Sequence, residues 1–241
     1  KNGSSSDWHC QSSGAHDAER AMKVFRDLYI SANAETMAAA VAAMESALPP
    51  GWVRDRDAEN RSLAFRASTK RATYCFARKK DKHRPAAMLV LAQKESETDP
   101  DTFYVSNIVP LERHQLEHGE YNAVLEDFYE RVFKPYAESA GVEHTFTGEE
   151  ASLERWMDAP TAELLRTFSD RANKGTGVSH PRDRERWNAF LLSAHQSGST
   201  LDPSTLARWL VEAEDWSPEI AEQLALEYES GLGLLDYASS H

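Results

Sequence analysis

This chain of 241 residues has 41% hydrophobic residues and a formal charge of −12 at pH 7, a composition typical of a globular protein. Its apolar and aromatic content excludes an intrinsically disordered chain, and no run of about 18 apolar residues is present to form a transmembrane helix. Two cysteines, Cys10 and Cys75, are too few for a disulfide framework, so we expect a protein of the reducing cytoplasm.

Charge is distributed unevenly along the chain. Residues 54–94 have a net charge of +8, and residues 202–236 have a net charge of −8. Such segregation of charge is informative about binding partners and docking, and it says little about the fold.

The first 150 residues predict a leader followed by helices and strands. Residues 1–16, rich in serine and glycine, are predicted to be a flexible tail or a tag remnant, and the start at Lys1 leaves processing of the N-terminus open. Apolar residues at helical spacing predict helices over 17–30 and 34–48, the second ended by Pro49-Pro50-Gly51. Alternating patterns predict strands over 63–68, 72–77, 86–93 and 102–109, and a further helix is predicted over 120–138.

The remainder is predicted to be helical. Thr147-Gly148-Glu149-Glu150 fits a capping box. Pro160, Pro181, Pro203 and Pro218 stand where first helical turns would begin, and Asp202 and Ser217 are predicted N-caps. Short loops favour an antiparallel bundle. Its tryptophans are expected in the core, and an interface is the second interpretation of their position.

Together these elements predict an α+β fold. It comprises an antiparallel sheet of about four strands with flanking helices over 17–145, followed by an all-helical lobe over 146–241. Whether the two lobes form one compact unit is left open by the sequence.

One loop is a candidate ligand site. Gly175 and Gly177 precede a helix that begins at Pro181, and amide groups at a helix N-terminus, with nearby arginines, can hold a phosphate or carboxylate. The predicted ligand-binding residues are Asn173, Lys174, Ser179, His180, Arg182 and Arg186. The competing interpretation is a simple turn followed by a helix cap.

No catalytic residue, cofactor or metal site is predicted. The chain has no Gly-x-Ser-x-Gly elbow. His180 and His195 fall at opposite ends of a predicted helix of about 20 Å, too far apart to share a metal.

Three functional hypotheses follow. The leading one is a non-catalytic binding protein, such as a bacterial immunity protein, antitoxin or defence accessory factor, whose acidic surface engages a basic protein partner. The first alternative is an enzyme or sensor that binds a phosphorylated or nucleotide-like ligand at residues 173–187. The second is nucleic-acid binding through residues 54–94, with stacking on aromatic side chains if those are exposed: Tyr74, Phe76, Phe103 and Tyr104. The lysines and arginines of that segment are equally typical of a solvated sheet edge. No membrane partner is predicted, and the oligomeric state is left open.

Overall fold

The computed structural model describes residues 20–65, 71–94, 101–112 and 115–241, so the predicted leader over 1–16 lies outside the described residues. Two compact units are present. One is Val24–Glu149, and the other joins the described residues 20–23 to Glu150–His241. That the predicted lobes, 17–145 and 146–241, are independent domains remains a prediction.

In chain order the elements are β1 (Met22–Lys23), β2 (Leu28–Ser31), α1 (Ala34–Ser46), β3 (Trp52–Arg54), α2 (Arg56–Phe65), β4 (Thr73–Arg78), β5 (Ala87–Gln93), β6 (Thr102–Pro110), α3 (His118–Phe128), a π-helical turn (Tyr129–Phe133), α4 (Lys134–Ala140), β7 (His144–Phe146), β8 (Glu150–Ala151), a 3₁₀ turn (Leu153–Arg155), α5 (Ala159–Arg171), α6 (Pro181–Ser197), α7 (Pro203–Glu212) and α8 (Pro218–Ser240). None of these described helices has both the length and the apolar character needed to cross a bilayer.

The first unit is built on an antiparallel sheet of six strands in the order β3-β4-β5-β6-β2-β7. The predicted α+β class is therefore confirmed, and β4, β5 and β6 confirm the strands predicted over 72–77, 86–93 and 102–109. Burial largely alternates along β5 and β6 because one face of these strands is buried, whereas β4 is buried on both faces. Phe76, Leu89 and Phe103 have no exposed surface there and join one hydrophobic core with Val41 of α1 and Phe128 of α3.

Two of the predicted helices in this unit are also confirmed. The helix predicted over 34–48 is α1, whose N-cap Asn33 accepts a hydrogen bond from the Thr36 amide at 2.8 Å. The helix predicted over 120–138 is α3 continued through the π-helical turn into α4.

The helix predicted over 17–30 is wrong in its described part, which contains β1 and β2. Leu28 and Ile30 point into the core while Tyr29 and Ser31 are exposed, the period of a strand. Before β2, the side chain of Asn122 accepts from the Arg26 amide at 2.8 Å and donates to the Val24 carbonyl at 2.9 Å. These backbone groups therefore bond to a distant side chain and not to a helical turn.

The strand predicted over 63–68 is also wrong, because residues 56–65 form α2, while 66–68 lie outside the described residues. Asp55 starts this helix by accepting from the Ala58 amide at 2.8 Å. The capping box at 147–150 is wrong as well. The Thr147 hydroxyl accepts from the Asp27 amide at 2.8 Å, and Glu150 lies in β8.

The second unit combines a small β1-β8 pair with helices α5–α8. The predicted proline starts are present, with Pro160 in the first turn of α5 and the other three at the first residue of α6, α7 and α8. Both predicted N-caps are confirmed, since Asp202 accepts from the Thr205 amide at 3.0 Å and Ser217 accepts from the Ile220 amide at 3.4 Å. Aromatic rings fill the core of this unit: Phe168, Trp187, Phe190, Trp209, Trp216 and Tyr228.

Candidate functional site

The loop between α5 and α6 is held by its own backbone. The carbonyl of Asn173 accepts from the amides of Thr176 and Gly177, at 3.0 and 2.8 Å, and the Asn173 side chain accepts from the Gly175 amide at 2.9 Å. Gly177 has a φ of +60°, and a β-carbon there would lie 3.4 Å from Ile220. The two glycines thus form a tight turn, as in the competing interpretation.

The first turn of α6 is capped by His180. Its Nδ1 accepts from the Arg182 amide at 3.2 Å, and its carbonyl accepts from the amides of Asp183 and Arg184, both at 3.0 Å. Pro181 has no amide hydrogen. The amide donors that an anion would need at this helix N-terminus are therefore already bonded within the protein.

Most of the other predicted ligand-binding side chains also have partners. Lys174 Nζ donates to the Glu214 carbonyl, and Ser179 Oγ donates to the Thr176 carbonyl at 2.6 Å. Arg186 pairs with buried Asp183 at 2.6 Å. Within the part of the chain that the structure describes, the Arg182 guanidinium makes no hydrogen bond or ion pair.

Five of the six predicted residues still line one open depression of about 750 Å³, and Lys174 does not. Its lining residues are Arg171, Ala172, Asn173, Thr176, Ser179, His180, Arg182, Asp183 and Arg186. Arg171 and Arg182 are exposed there, so the depression offers positive charge but few free backbone donors.

A second concave surface lies between α6 and α8, and we call it the α6–α8 groove. It encloses about 650 Å³ and is lined by Arg184, Asn188, Leu191, Leu192, Gln223, Leu226, Glu227, Ser230, Gly231, Leu234 and Leu235. Leu192, Leu226 and Leu234 are 47%, 65% and 68% exposed, values far above those of core leucines.

An ion pair, a histidine–carboxylate contact and a glycine lie where the two helices meet along this groove. Arg184 pairs with Glu227 at 2.6 Å, and His195 lies 3.1 Å from Asp236. Because both pairs follow the chain in the same order, α6 and α8 run in the same direction. At Gly231 a β-carbon would lie only 2.9 Å from Leu191 Cδ1, so the glycine permits the close approach.

The helix α8 is acidic, although Glu227 is its only acidic residue among those that line the groove. This helix contains five acidic residues and no basic one. Glu222 and Glu229 lie four residues before and three residues after Leu226, and so flank it on the helix surface. Both are exposed, and neither forms an ion pair with any residue that the structure describes.

Several basic residues of segment 54–94 form ion pairs with carboxylates within their own unit. Arg54 pairs with Glu59 at 2.8 Å, Arg78 pairs with Asp127 at 3.0 Å, and Lys80 pairs with Glu112 at 2.9 Å. Arg66 and Lys70 lie outside the described residues.

Three of the four aromatic residues named as stacking candidates are buried: Tyr74, Phe76 and Phe103. Their rings are part of the sheet core, and so they are not exposed to bases as stacking requires.

Sequence reasoning missed the α6–α8 groove, although a signal was present. One apolar stripe of α8, formed by Ala221, Leu224, Ala225 and Tyr228 at helical spacing, is buried in the core of its unit. Leu226 and Leu234 lie outside that stripe, on a second apolar side of the same helix. When a helix has two apolar sides and its own core covers only one of them, the other side is available to a partner.

The family model described as a domain of unknown function, DUF1889, matches residues 157–229. The matched region contains the 173–187 loop, all of α6 and half of α8. No curated protein and no solved structure matches the chain.

Proposed function

We propose that this protein is a non-catalytic binding protein that engages a basic protein partner through the acidic helical surface around the α6–α8 groove. The roles that fit are those of a bacterial immunity protein, an antitoxin or a defence accessory factor. The observation that carries the proposal is an open apolar groove beside a helix with five acidic and no basic residues.

Two physical effects support this use of the surface. Clustered exposed leucines lose contact with water when a partner covers them, and monomeric proteins rarely leave such clusters open without a function. The surrounding negative charge accelerates encounter with a cationic protein and disfavours acidic partners.

The test is capture of partners from the native host at low salt, followed by elution at high salt. We expect a basic protein in stoichiometric amount, and we expect the double variant Glu222→Gln/Glu229→Gln to retain much less of it. Glu138→Gln/Glu143→Gln makes the same change of charge at exposed positions of the other unit and serves as the control. Equal capture by all three proteins, or no captured protein at all, would contradict the proposal.

A second candidate function rests on the depression near residues 173–187. Arg171 and Arg182 are exposed there and make no ion pair with any described residue, so the depression favours an anion such as a phosphorylated ligand. Titration with inorganic phosphate and with ADP, followed by NMR, tests this function. Shifts around Arg182 that disappear in Arg182→Ala and persist in Arg155→Ala would support it, and an unchanged spectrum would remove it.

A further inference from the structure

We infer that the α6–α8 groove binds a basic amphipathic helix of the partner protein. This inference rests on the proposed function and specifies the element that the partner inserts. Three properties of the groove point to a helix with one apolar face and lysines or arginines along one flank.

The shape of the groove fits a short helix. Its α8 wall extends from Gln223 to Leu235, a rise of about 18 Å at 1.5 Å per residue, which is three to four turns. Both walls are helices, and a third helix can pack its apolar ridge between them in the usual manner of helix packing. The groove also contains Leu191 and Gly231, and a β-carbon at Gly231 would lie only 2.9 Å from Leu191 Cδ1.

The pattern of the lining residues also fits. Leu226 and Leu234 on α8 and Leu191 and Leu192 on α6 present apolar surface from both walls. Apolar residues at i, i+3 or i+4, and i+7 of an incoming helix would contact them in successive turns. An extended strand is disfavoured because the groove offers no exposed sheet edge with free backbone donors and acceptors.

The charges determine which flank of the incoming helix is basic. Glu222 and Glu229 lie on α8 beside Leu226, whereas Arg182 lies on the first turn of α6 and Arg184 is already paired with Glu227. Lysines or arginines of the partner therefore belong along the α8 wall. A carboxylate is favoured only near the start of α6.

The same charges argue against a second copy of this chain in the groove. In a symmetric dimer each copy presents the same surface to the other, and α8 would meet another α8 with five acidic residues. Like charges at a contact cost affinity, and the whole chain has a charge of −12. A cationic partner avoids this repulsion.

The experiment uses a synthetic helical peptide as the probe. It has about 14 residues, with leucines at i, i+3, i+4 and i+7 and lysines elsewhere, enough for a helix of about 20 Å. Two control peptides have the same composition in scrambled order and the same leucine pattern with glutamates in place of lysines. Fluorescence anisotropy measures binding to the full chain at low and high salt.

Variants of exposed residues then assign the contact. We expect Leu226→Asn/Leu234→Asn to weaken binding of the lysine peptide by about 10-fold or more, as loss of buried anchors does. Leu111→Asn, which removes a leucine that is 54% exposed in the other unit, is the matched control and should leave binding unchanged. Thermal unfolding of each variant verifies that it is folded.

The possible outcomes separate this inference from the proposed function. If the charge variant Glu222→Gln/Glu229→Gln loses the host partner but the leucine variants bind the host partner and the peptide normally, the binding function stands and the helix-in-groove inference falls. The inference also falls if the scrambled peptide binds equally well. A concentration-dependent dimer of the free protein that Leu226→Asn/Leu234→Asn abolishes would make a second copy the occupant and overturn it too.

Discussion

Asp127 shows how one buried carboxylate organises the surrounding part of the first unit. It accepts from Trp52 Nε1 at 2.8 Å and from Arg78 Nε at 3.0 Å, and it lies within 3.3 Å of Arg84 and Arg131. Burial raises its pKa, but the hydrogen bonds from Arg78 and Trp52 and the nearby positive charges outweigh burial, so the pKa is lowered. Its ionised form is therefore the one that the folded protein stabilises.

We expect Asp127→Asn to lower the free energy of unfolding by about 2 kcal/mol, because buried Arg78 loses a charged hydrogen-bond acceptor and keeps only the more exposed Asp81 as a carboxylate partner. Glu130→Gln is the control, since Glu130 pairs with Lys134 on the surface and its loss should leave stability unchanged. Urea unfolding at neutral pH measures both. Equal effects of the two substitutions would mean that the Asp127 cluster contributes no more than a surface pair.

Glu214 is a buried carboxylate with the opposite shift. Its Oε2 accepts from Ser169 Oγ at 2.7 Å, and the same hydroxyl accepts from Trp216 Nε1 at 2.8 Å. Burial raises its pKa, and the Ser169 hydrogen bond and the charges of Arg20 and Lys174 offset this only in part. The Glu214 carboxyl therefore holds its proton more tightly in the folded protein than in the unfolded chain.

The sign of the resulting pH dependence follows from linkage. The contribution of Glu214 to stability is fully present below the pKa of the carboxyl in the unfolded chain, and it is lost as the pH rises through the higher pKa of the folded state. Glu214→Gln can still accept from Ser169 and does not titrate. At pH values above 4.5, the free energy of unfolding of this variant minus that of the wild type should increase with pH. The increase should be no more than about 1.4 kcal/mol per pH unit. Urea unfolding at several pH values tests this, and a constant difference between the two proteins would contradict it.

At the scale of elements, the sequence predicted those parts in which local signals and long-range contacts agree. Proline at the start of a helix and a capping Asp202 or Ser217 act within a few residues, so α7 and α8 were predictable. The strand at 28–31 was not, because Leu28 fits both a helical and an alternating pattern. Its pairing with β6 and β7 decides the outcome, and the 24–26 backbone depends on Asn122, about 100 residues away.

The candidate site was predicted less completely, for a related reason. The sequence indicated residues 173–187 as a candidate site. In the structure, however, Asn173 stabilises the turn, His180 caps α6 and Arg186 forms an ion pair, and sequence spacing does not reveal these contacts. The α6–α8 groove depends on two helices that are separated by α7. Leu192 and Leu226 belong to one surface only after the helices have packed, so neither helix predicts the groove alone.

Two glycines of α8 give a prediction at this scale. A β-carbon at Gly233 meets no atom within 4 Å, whereas one at Gly231 would lie 2.9 Å from Leu191 Cδ1. Alanine favours a helix interior over glycine by about 1 kcal/mol, so Gly233→Ala should stabilise the protein by up to that amount. Gly231→Ala should gain less, because Leu191 must move. Thermal unfolding of the two variants measures the difference, and equal gains would mean that Leu191 adapts freely.

For the whole molecule, the charge of −12 and the placement of acidic and basic residues in different segments of the sequence affect encounter with partners more than folding. Some basic residues of the first unit, such as Arg54 and Arg78, form ion pairs with carboxylates of the same unit. On α8, Glu222 and Glu229 form no such pair with the described residues. An approaching cationic protein would therefore meet unpaired carboxylates on α8.

Charge and apolar contact should then affect different rates of binding to the leucine–lysine peptide. Glu222→Gln/Glu229→Gln should lower the association rate constant several-fold at low salt and make it less dependent on salt, because long-range attraction is screened beyond about 10 Å at 0.1 M. Leu226→Asn should leave association nearly unchanged and raise the dissociation rate about 10-fold, because short-range packing acts after encounter. Stopped-flow fluorescence over a range of salt concentrations separates the two. If the glutamine variant changes only dissociation, these carboxylates act as direct contacts of the bound helix and do not steer its approach.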